Sequence, residues 1–164
     1  MNKTLSIIVA VAEDNGIGNE NNLLTYISND LKRFKEITKG HTVVMGHNTW
    51  LSLPNRPLPN RTNIVITGNK NLNFEGAIAV NSIEEAISAC PENQESFIIG
   101  GAKLYQQFLP IASKLYLTKM HKVFTADTFF PEVKATEWKE VSRTKIIDDE
   151  KAGIEYSFIN LVRV

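Results

Sequence analysis

A single cysteine, Cys90, occurs in 164 residues, which excludes a disulfide framework and a cysteine-built zinc site and points to a reducing compartment. Neither sign of charge is in excess: 18 Lys+Arg face 18 Asp+Glu, a formal net charge of zero. Non-specific nucleic-acid affinity comes from surplus cation, so a general nucleic-acid binder is excluded. Long hydrophobic runs are missing as well. The longest early one, Leu5 to Ala12, is interrupted by Ser6 and stopped by Glu13-Asp14, far short of the roughly 20 residues of a membrane span. Lys3 precedes it without a small-residue cleavage site after it, and the expectation is a cytoplasmic protein that makes no membrane contact. The three histidines, His41, His47 and His121, have no metal-ligand spacing, so no metal site is expected. Nine Gly and six Pro form no low-complexity segment or linker; one domain over residues 1–164, acting as a monomer, is the expectation.

What is present is a core and an ordered alternation of elements. Hydrophobic residues make up 43% of the chain. Ser6 to Ala12 reads as a continuous apolar strand, the pattern of a sheet covered on both faces. A polar, Gly-punctuated loop, Glu13 to Asn22, follows. The next helix takes Ser28 or Asn29 as its cap, repeats apolar residues at Leu31, Phe34 and Ile37, and ends at Gly40. Further strands are Thr42 to Met45, Asn63 to Thr67, Ala77 to Val80, Phe97 to Ile99 and Lys114 to Met120. Ser82 with Glu85 forms a capping box for a helix Ile83 to Cys90, and Pro110 halts another that runs through Phe108-Leu109. Trp138 to Ile147 and Ile154 to Val164 alternate polar and apolar residues about a turn at Asp148 to Gly153, a hairpin signal. The fold class expected is α/β: a central, mostly parallel mixed sheet with helices on both faces and a C-terminal antiparallel hairpin.

Four local features invite a ligand. Gly100-Gly101 stands where a buried strand becomes a helix, so it is either a tight turn or a phosphate cradle at the helix start. The full G-x-G-x-x-G pattern is absent there, and Gly16-Ile17-Gly18 lacks its third glycine, so a Rossmann dehydrogenase is not indicated. Met45-Gly46-His47-Asn48-Thr49-Trp50 repeats the strand–glycine–helix order, and two such junctions in one sheet suit an extended phosphate-bearing ligand. Asp30 shares a helix face with Phe34 and Ile37; it is either a carboxylate favoured by the helix dipole and turned to solvent, or a pocket acid for a cationic, amidine-like edge. Arg61, after the rigid Leu58-Pro59-Asn60, is either a solvated loop residue or a fork for a carboxylate.

In order and spacing the segments Ile8-Val9-Ala10, Ile17-Gly18, Asp30-Leu31-Lys32-Arg33-Phe34-Lys35, Met45-Gly46-x-x-Thr49-Trp50, Arg56-Pro57-Leu58-Pro59-x-Arg61, Ile99-Gly100-Gly101-x-x-x-Tyr105 and Asp127-Thr128-x-Phe130-Pro131 resemble the dihydrofolate reductase family, from Leu5 to about Leu161. The resemblance implies reduction of 7,8-dihydrofolate to tetrahydrofolate by NADPH, with hydride passing to C6 and N5 protonated. It implies that Asp30 bonds the pterin edge as the catalytic carboxylate, with Thr118 behind it as a hydroxyl partner. Ile8, Leu31, Phe34, Leu53, Leu58 and Ile99 would wall the substrate, and Arg61 would take its α-carboxylate. The cofactor phosphates would fall to Gly46, His47, Asn48 and Thr49 and to Gly100, Gly101, Ala102, Lys103, Leu104, Tyr105 and Gln107, with Thr67, Gly68 and Lys70 at the adenosine end. Ala10 and the loop Gly16 to Asn22 (Gly16, Ile17, Gly18 and Asn19), with Leu23 after it, would close over the nicotinamide. Antifolate inhibitors belong to the same expectation.

The chain departs from that family pattern at two places. Members usually read Leu-Pro-Trp before the acidic helix, where this chain has Leu23-Leu24-Thr25, and Ser28 replaces the usual Pro; a hydroxyl stands where an indole would. His47 stands where members commonly carry Arg, and Lys70 is the candidate to compensate toward a 2′-phosphate. The rival readings are a pyrimidine reductase of riboflavin synthesis on the same fold and a non-catalytic folate-sequestering module. Asp30 with Phe34 and Arg61 favours the pterin–glutamate ligand over the first, and oxidation of the nicotinamide on adding dihydrofolate separates an enzyme from the second.

Overall fold

The computed structural model describes residues 2–20 and 22–164. Strands are β1 (Thr4–Val11), β2 (Gly16–Gly18), β3 (Thr42–Gly46), β4 (Thr62–Ile66), β5 (Ile78–Val80), β6 (Glu95–Ile98), β7 (Lys114–Met120), β8 (Thr128–Phe129), β9 (Trp138–Arg143), β10 (Ile147–Asp149) and β11 (Ile154–Arg163). Helices are α1 (Ser28–Thr38), α2 (His47–Ser52), α3 (Ile83–Ala89) and α4 (Ala102–Phe108). The main sheet runs β10-β11-β7-β1-β6-β3-β4-β5, with β9 also on β11. From β7 to β5 every pairing is parallel, while β11 is antiparallel to β7, β9 and β10.

Alternation along the strands sorts the core onto two faces. Ile7, Val9 and Val11 of β1 pack with Val44, Ile64 and Ile98 beneath Ala86 of α3 and Leu104 and Phe108 of α4. Ile8 points the other way and joins Val43, Met45, Val65 and Phe97 beneath Trp50 of α2 and Phe34 and Ile37 of α1. Strands buried on both faces are largely apolar, which is why β1 beyond Ser6 and β3 beyond Thr42 read as hydrophobic runs. A third cluster, Ala12, Ile27, Met120, Ile154 and Tyr156, lies under the segment entering α1. Among the described residues no helix is long and apolar enough to cross a membrane.

Three local expectations are corrected. The cap position of α1 is Ile27, which makes no side-chain capping bond; its burial in the third cluster fixes the entry to the helix. Asn29 instead donates its amide to the Tyr156 hydroxyl at 2.9 Å, tying the first turn of α1 to β11. The first arm of the C-terminal hairpin is two strands, β9 and β10. At the break Thr144 exchanges bonds with Phe158, its N–H to the carbonyl and its Oγ1 accepting from the Phe158 N–H, both at 3.0 Å, and the β11 register shifts at Asn160/Leu161. Within the expected loop, Gly16–Gly18 pairs with Thr128–Phe129 as a separate two-stranded sheet. The Ser82–Glu85 cap is formed, the Glu85 N–H donating to Ser82 Oγ at 3.1 Å.

Candidate active site

Asp30 lies in the first turn of α1, half-buried. Thr118 stands opposite it on β7, in register with Ala10 of β1 and Phe158 of β11. The Thr118 hydroxyl is buried and donates to Asp30 Oδ1. Burial pushes the Asp30 carboxyl above the usual carboxylate value; the Thr118 bond and the Arg33 charge pull it back. Across the pocket the buried Tyr105 hydroxyl donates to the Ile8 carbonyl at 3.1 Å, and burial raises that phenol. A carboxylate in partly apolar surroundings with one oxygen left for a ligand suits a planar donor edge.

The proposed walls divide by exposure. Ile8 is buried, while Phe34, Leu53, Leu58 and Ile99 are half-buried against the same cluster. Leu31 is 46% exposed, Leu23 51% and Tyr26 65%, an apolar rim with little covering it. A cleft of about 190 Å³ opens between Asn22, Asn48, Leu51 and Ser52. Leu51 was not anticipated from the sequence; its signal was an exposed leucine directly following the buried Trp50 on α2. Arg61 donates through Nε to the Pro59 carbonyl at 2.9 Å and through Nη1 to Thr38 Oγ1 at 3.1 Å, and the Thr38 hydroxyl in turn donates to the Phe34 carbonyl at 2.7 Å. The guanidinium is thereby aimed by two bonds, and its centre lies 5.8 Å from the Phe34 ring centroid.

A second half of the site is built on glycine. The Gly46 N–H donates to the Gly100 carbonyl at 2.9 Å, joining the starts of α2 and α4. Neither helix start has a side-chain cap, Gly46 and Gly101 holding those positions. Gly100 has φ +124°, and a Cβ there would press on the Tyr105 hydroxyl at 3.3 Å and Thr49 Oγ1 at 3.5 Å. The room that Gly46, Gly100 and Gly101 leave, beside free helix-start amides, fits the phosphates of a dinucleotide. Leu104 and Tyr105 turn into the core, Ala102 is half-buried, and Lys103 and Gln107 are exposed. Asn48 is exposed. His47 lies edge-on to Phe74 at 5.3 Å, and Phe74 packs likewise on Trp50. Thr67 is buried with its carbonyl bound by Asn81, and Gly68 and Lys70 are exposed beyond it.

The loop after β2 is held by Asp127. Asp127, exposed, accepts the Glu20 N–H through Oδ2 at 2.9 Å and the Thr128 hydroxyl through Oδ1 at 2.7 Å, while its own N–H donates to the Gly18 carbonyl. The Glu20 amide, chiefly, keeps the Asp127 carboxyl below its ordinary value. The resemblance includes Asp127 and attaches no role to it. Its partner lies 107 positions away, so only a pairing of β2 with β8 reveals it. Asn19 and Asn22 bridge the loop tip in both directions at 3.0 Å; Asn21, part of the expected loop, lies outside the described residues. Leu24 fills the third cluster, half-buried, and Thr25 is half-buried beside it.

The family model described as dihydrofolate reductase matches residues 4–163. The dihydrofolate reductase of Bacillus subtilis is 41% identical over 155 residues, covering 94% of this chain and 92% of that protein. That of Staphylococcus haemolyticus is 43% identical over 154 residues, with the same coverages of 94% and 92%. Among solved structures, dihydrofolate reductase from Enterococcus faecalis complexed with NADP(H) and RAB-propyl superposes with a TM-score of 0.89 at 36% identity, covering 98% of this chain and 96% of that one.

Proposed function

The chain belongs to the dihydrofolate reductase family, and from this premise we propose that Asp30 is the carboxylate on which its reaction turns. The protein is an NADPH-dependent oxidoreductase that reduces 7,8-dihydrofolate to 5,6,7,8-tetrahydrofolate, with hydride going to C6 and a proton to N5. The observation that carries the reading is the half-buried Asp30 bonded from behind by Thr118. Thr118 occupies one carboxylate oxygen and fixes the plane of the group; the other oxygen remains for the amino and ring N–H donors of the pterin. Held ionised in a low-dielectric pocket, the anion favours positive charge on the ring and so raises the basicity of N5. The residues described around the pocket include no second acid facing Asp30, so water delivers the proton. The hydride would come from NADPH, which Gly46 to Thr49 and Gly100 to Gln107 would hold when it binds.

The remaining roles follow the surfaces. Ile8, Leu31, Phe34, Leu53, Leu58 and Ile99 exclude water from the ring and benzoyl parts of the substrate, a condition for hydride transfer without side reaction. Arg61, steered by Pro59 and Thr38, presents its free donors to the α-carboxylate. Gly46 to Thr49 and Gly100 to Gln107 hold the phosphates, the buried Leu104 and Tyr105 by shaping the backbone and not by contact. Thr67, Gly68 and Lys70 take the adenosine end, with His47 at the 2′-phosphate. Ala10, Gly16 to Asn19 and Leu23 cover the nicotinamide. The unit is one domain over residues 1–164 acting as a cytoplasmic monomer, and it is open to antifolates that present a diaminopyrimidine edge to Asp30.

The test is loss of nicotinamide absorbance on adding dihydrofolate, for the parent and Asp30→Asn. A fall in kcat of about 10²–10⁴ in the variant is expected for a group that assists proton transfer. Full activity in Asp30→Asn overturns the role of Asp30, and folate binding without oxidation in the parent overturns the enzyme reading in favour of a sequestering module.

A further inference from the structure

One helical turn beyond Asp30, the chain carries a cation into the join between α1 and the sheet. Arg33 is half-buried. Its Nη2 donates to Asn160 Oδ1 at 2.7 Å, and its guanidinium carbon lies 4.3 Å from the centroid of the Phe158 ring. Both partners are on β11, where Phe158 is paired with Thr118 and Asn160 with Tyr116. Neither partner is an anion. A guanidinium drawn from water onto an amide and a ring keeps its charge uncompensated by contact, and among the described residues it forms no contact ion pair.

The charged and titratable groups facing this pair are few. Arg33 feels Asp30 on its own helix and the Tyr116 phenol on β7. That phenol donates to Glu95 Oε2 on β6 at 2.8 Å, and the same oxygen accepts from Ser6 at 2.5 Å. Asp30 faces the neutral Thr118 hydroxyl from β7 and, from α4, the Tyr105 phenol, whose proton is committed to the Ile8 carbonyl. Arg33 is thus the one cation that acts on Asp30 among the described residues.

We propose that Arg33 is a positioning residue for the catalytic carboxylate, its stacked guanidinium keeping Asp30 ionised and ready for the substrate edge at neutral pH. The inference rests on the reading of Asp30 given above. Three features support it. Arg33 follows Asp30 by three positions on α1, so the two share a helix face. Its place is set by a hydrogen bond and a stack on a strand adjacent to the one carrying Thr118. Burial works against the ionised acid and Arg33 works for it; in a partly dry join such a pair is screened little by salt.

The experiment is the pH profile of kcat and of KM for dihydrofolate, from pH 5 to 9, in the parent, Arg33→Met, Arg33→Lys, Asp30→Asn and the double variant Asp30→Asn with Arg33→Met. Arg33→Met is expected to move the acid limb of kcat/KM to higher pH, raising KM at pH 6 about fivefold while leaving it near the parent value at pH 8.5. Arg33→Lys restores most of the parent profile, because it returns the charge without the stack. In the Asp30→Asn background the Met change has no pH-dependent effect. A profile of Arg33→Met that superimposes on the parent overturns the proposal. So does a loss in Arg33→Met and Arg33→Lys that is the same at every pH, which would make Arg33 a packing residue. Full activity in Asp30→Asn is distinguishable from both, since it removes the premise about Asp30 itself. Should Arg33→Met not fold, Arg33→Gln keeps a donor for Asn160 and carries the same comparison.

Discussion

Asp30 and Asp127 are both held by hydrogen bonds from distant parts of the chain, and the fold treats them in opposite ways. Asp30 rides on a helix, half-buried, and burial drives its carboxyl upward. Asp127 stands exposed in a loop, where the Glu20 amide draws its carboxyl downward. The first is kept by secondary structure in surroundings that disfavour its charge, so its charge is available to a ligand. The second spends its charge on the loop after β2, accepting the Glu20 amide. On the roles proposed above, chemistry then sits on the helix and gating on the loop held by a few exposed hydrogen bonds, the part of a protein that opens at least cost.

Removing the support behind Asp30 should break this contrast most sharply. Thr118→Val keeps the shape of a buried strand residue and deletes the donor. The pocket acid then loses its one hydroxyl partner, and its carboxyl rises further. KM for dihydrofolate at pH 7 should rise about tenfold, the size expected of a hydrogen bond to a charged group, and the loss should shrink as pH rises. A pH-independent loss of the same size would show that Thr118 acts through packing.

Asp127→Ala tests the other side. It should lower kcat about fivefold and leave both the substrate KM and the acid limb of the profile near the parent, because a loosened lid alters gating and not the carboxylate. Its pH sign is the reverse of that of Asp30. With the folded value depressed, the Glu20 contact is fully present above the ordinary aspartate range and fades only as pH falls through the lowered value. Stopped-flow hydride transfer, compared with steady-state turnover, reads the two apart. A change confined to KM would mean that Asp127 shapes the substrate pocket.

The same division governs what the sequence disclosed. The apolar runs of β1 and β3, the helical spacing of Asp30, Phe34 and Ile37, and the glycines before α2 and α4 are local patterns, and local patterns report local structure. The capping of α1 escaped because Ile27 owes its place to Met120, Ile154 and Tyr156, and Asn29 is used by a strand 127 positions away. The Gly16–Gly18 strand escaped because its strand partner among the described residues, Thr128–Phe129, lies far along the chain, and the break between β9 and β10 because it depends on Thr144 bonding Phe158. Arg33 carried no signal on its own, since its meaning depends on β11 passing beneath α1.

At the adenosine end the contrast narrows to a surface effect. Lys70 is exposed, and an exposed charge pair is weak. Lys70→Ala should therefore lower the NADPH-over-NADH preference only about threefold at pH 7, with less effect at high salt. Turnover with both cofactors at low and high salt checks this. An undiminished preference in Lys70→Ala would place the recognition elsewhere.

The smallest effect is also the one that explains why the two aspartates differ. A carboxyl raised on folding binds its proton more tightly in the native state than in the unfolded chain. Between the unfolded and folded values the native state holds more protons, so stability falls as pH rises through that window. At neutral pH the ionised Asp30 is accordingly a burden on the fold, carried, on the role proposed for it, for the charge it offers the substrate. Asp30→Asn accepts the Thr118 donor as before and carries no charge to desolvate. It should melt a few degrees above the parent at pH 7, and the advantage should disappear as pH falls through the raised Asp30 value toward the ordinary aspartate range. Thermal unfolding of both proteins from pH 4 to 8 reads the difference. A melting point for Asp30→Asn at or below the parent across that range would mean that the native surroundings favour the carboxylate, and the pocket would then be stabilising its acid instead of holding it under strain.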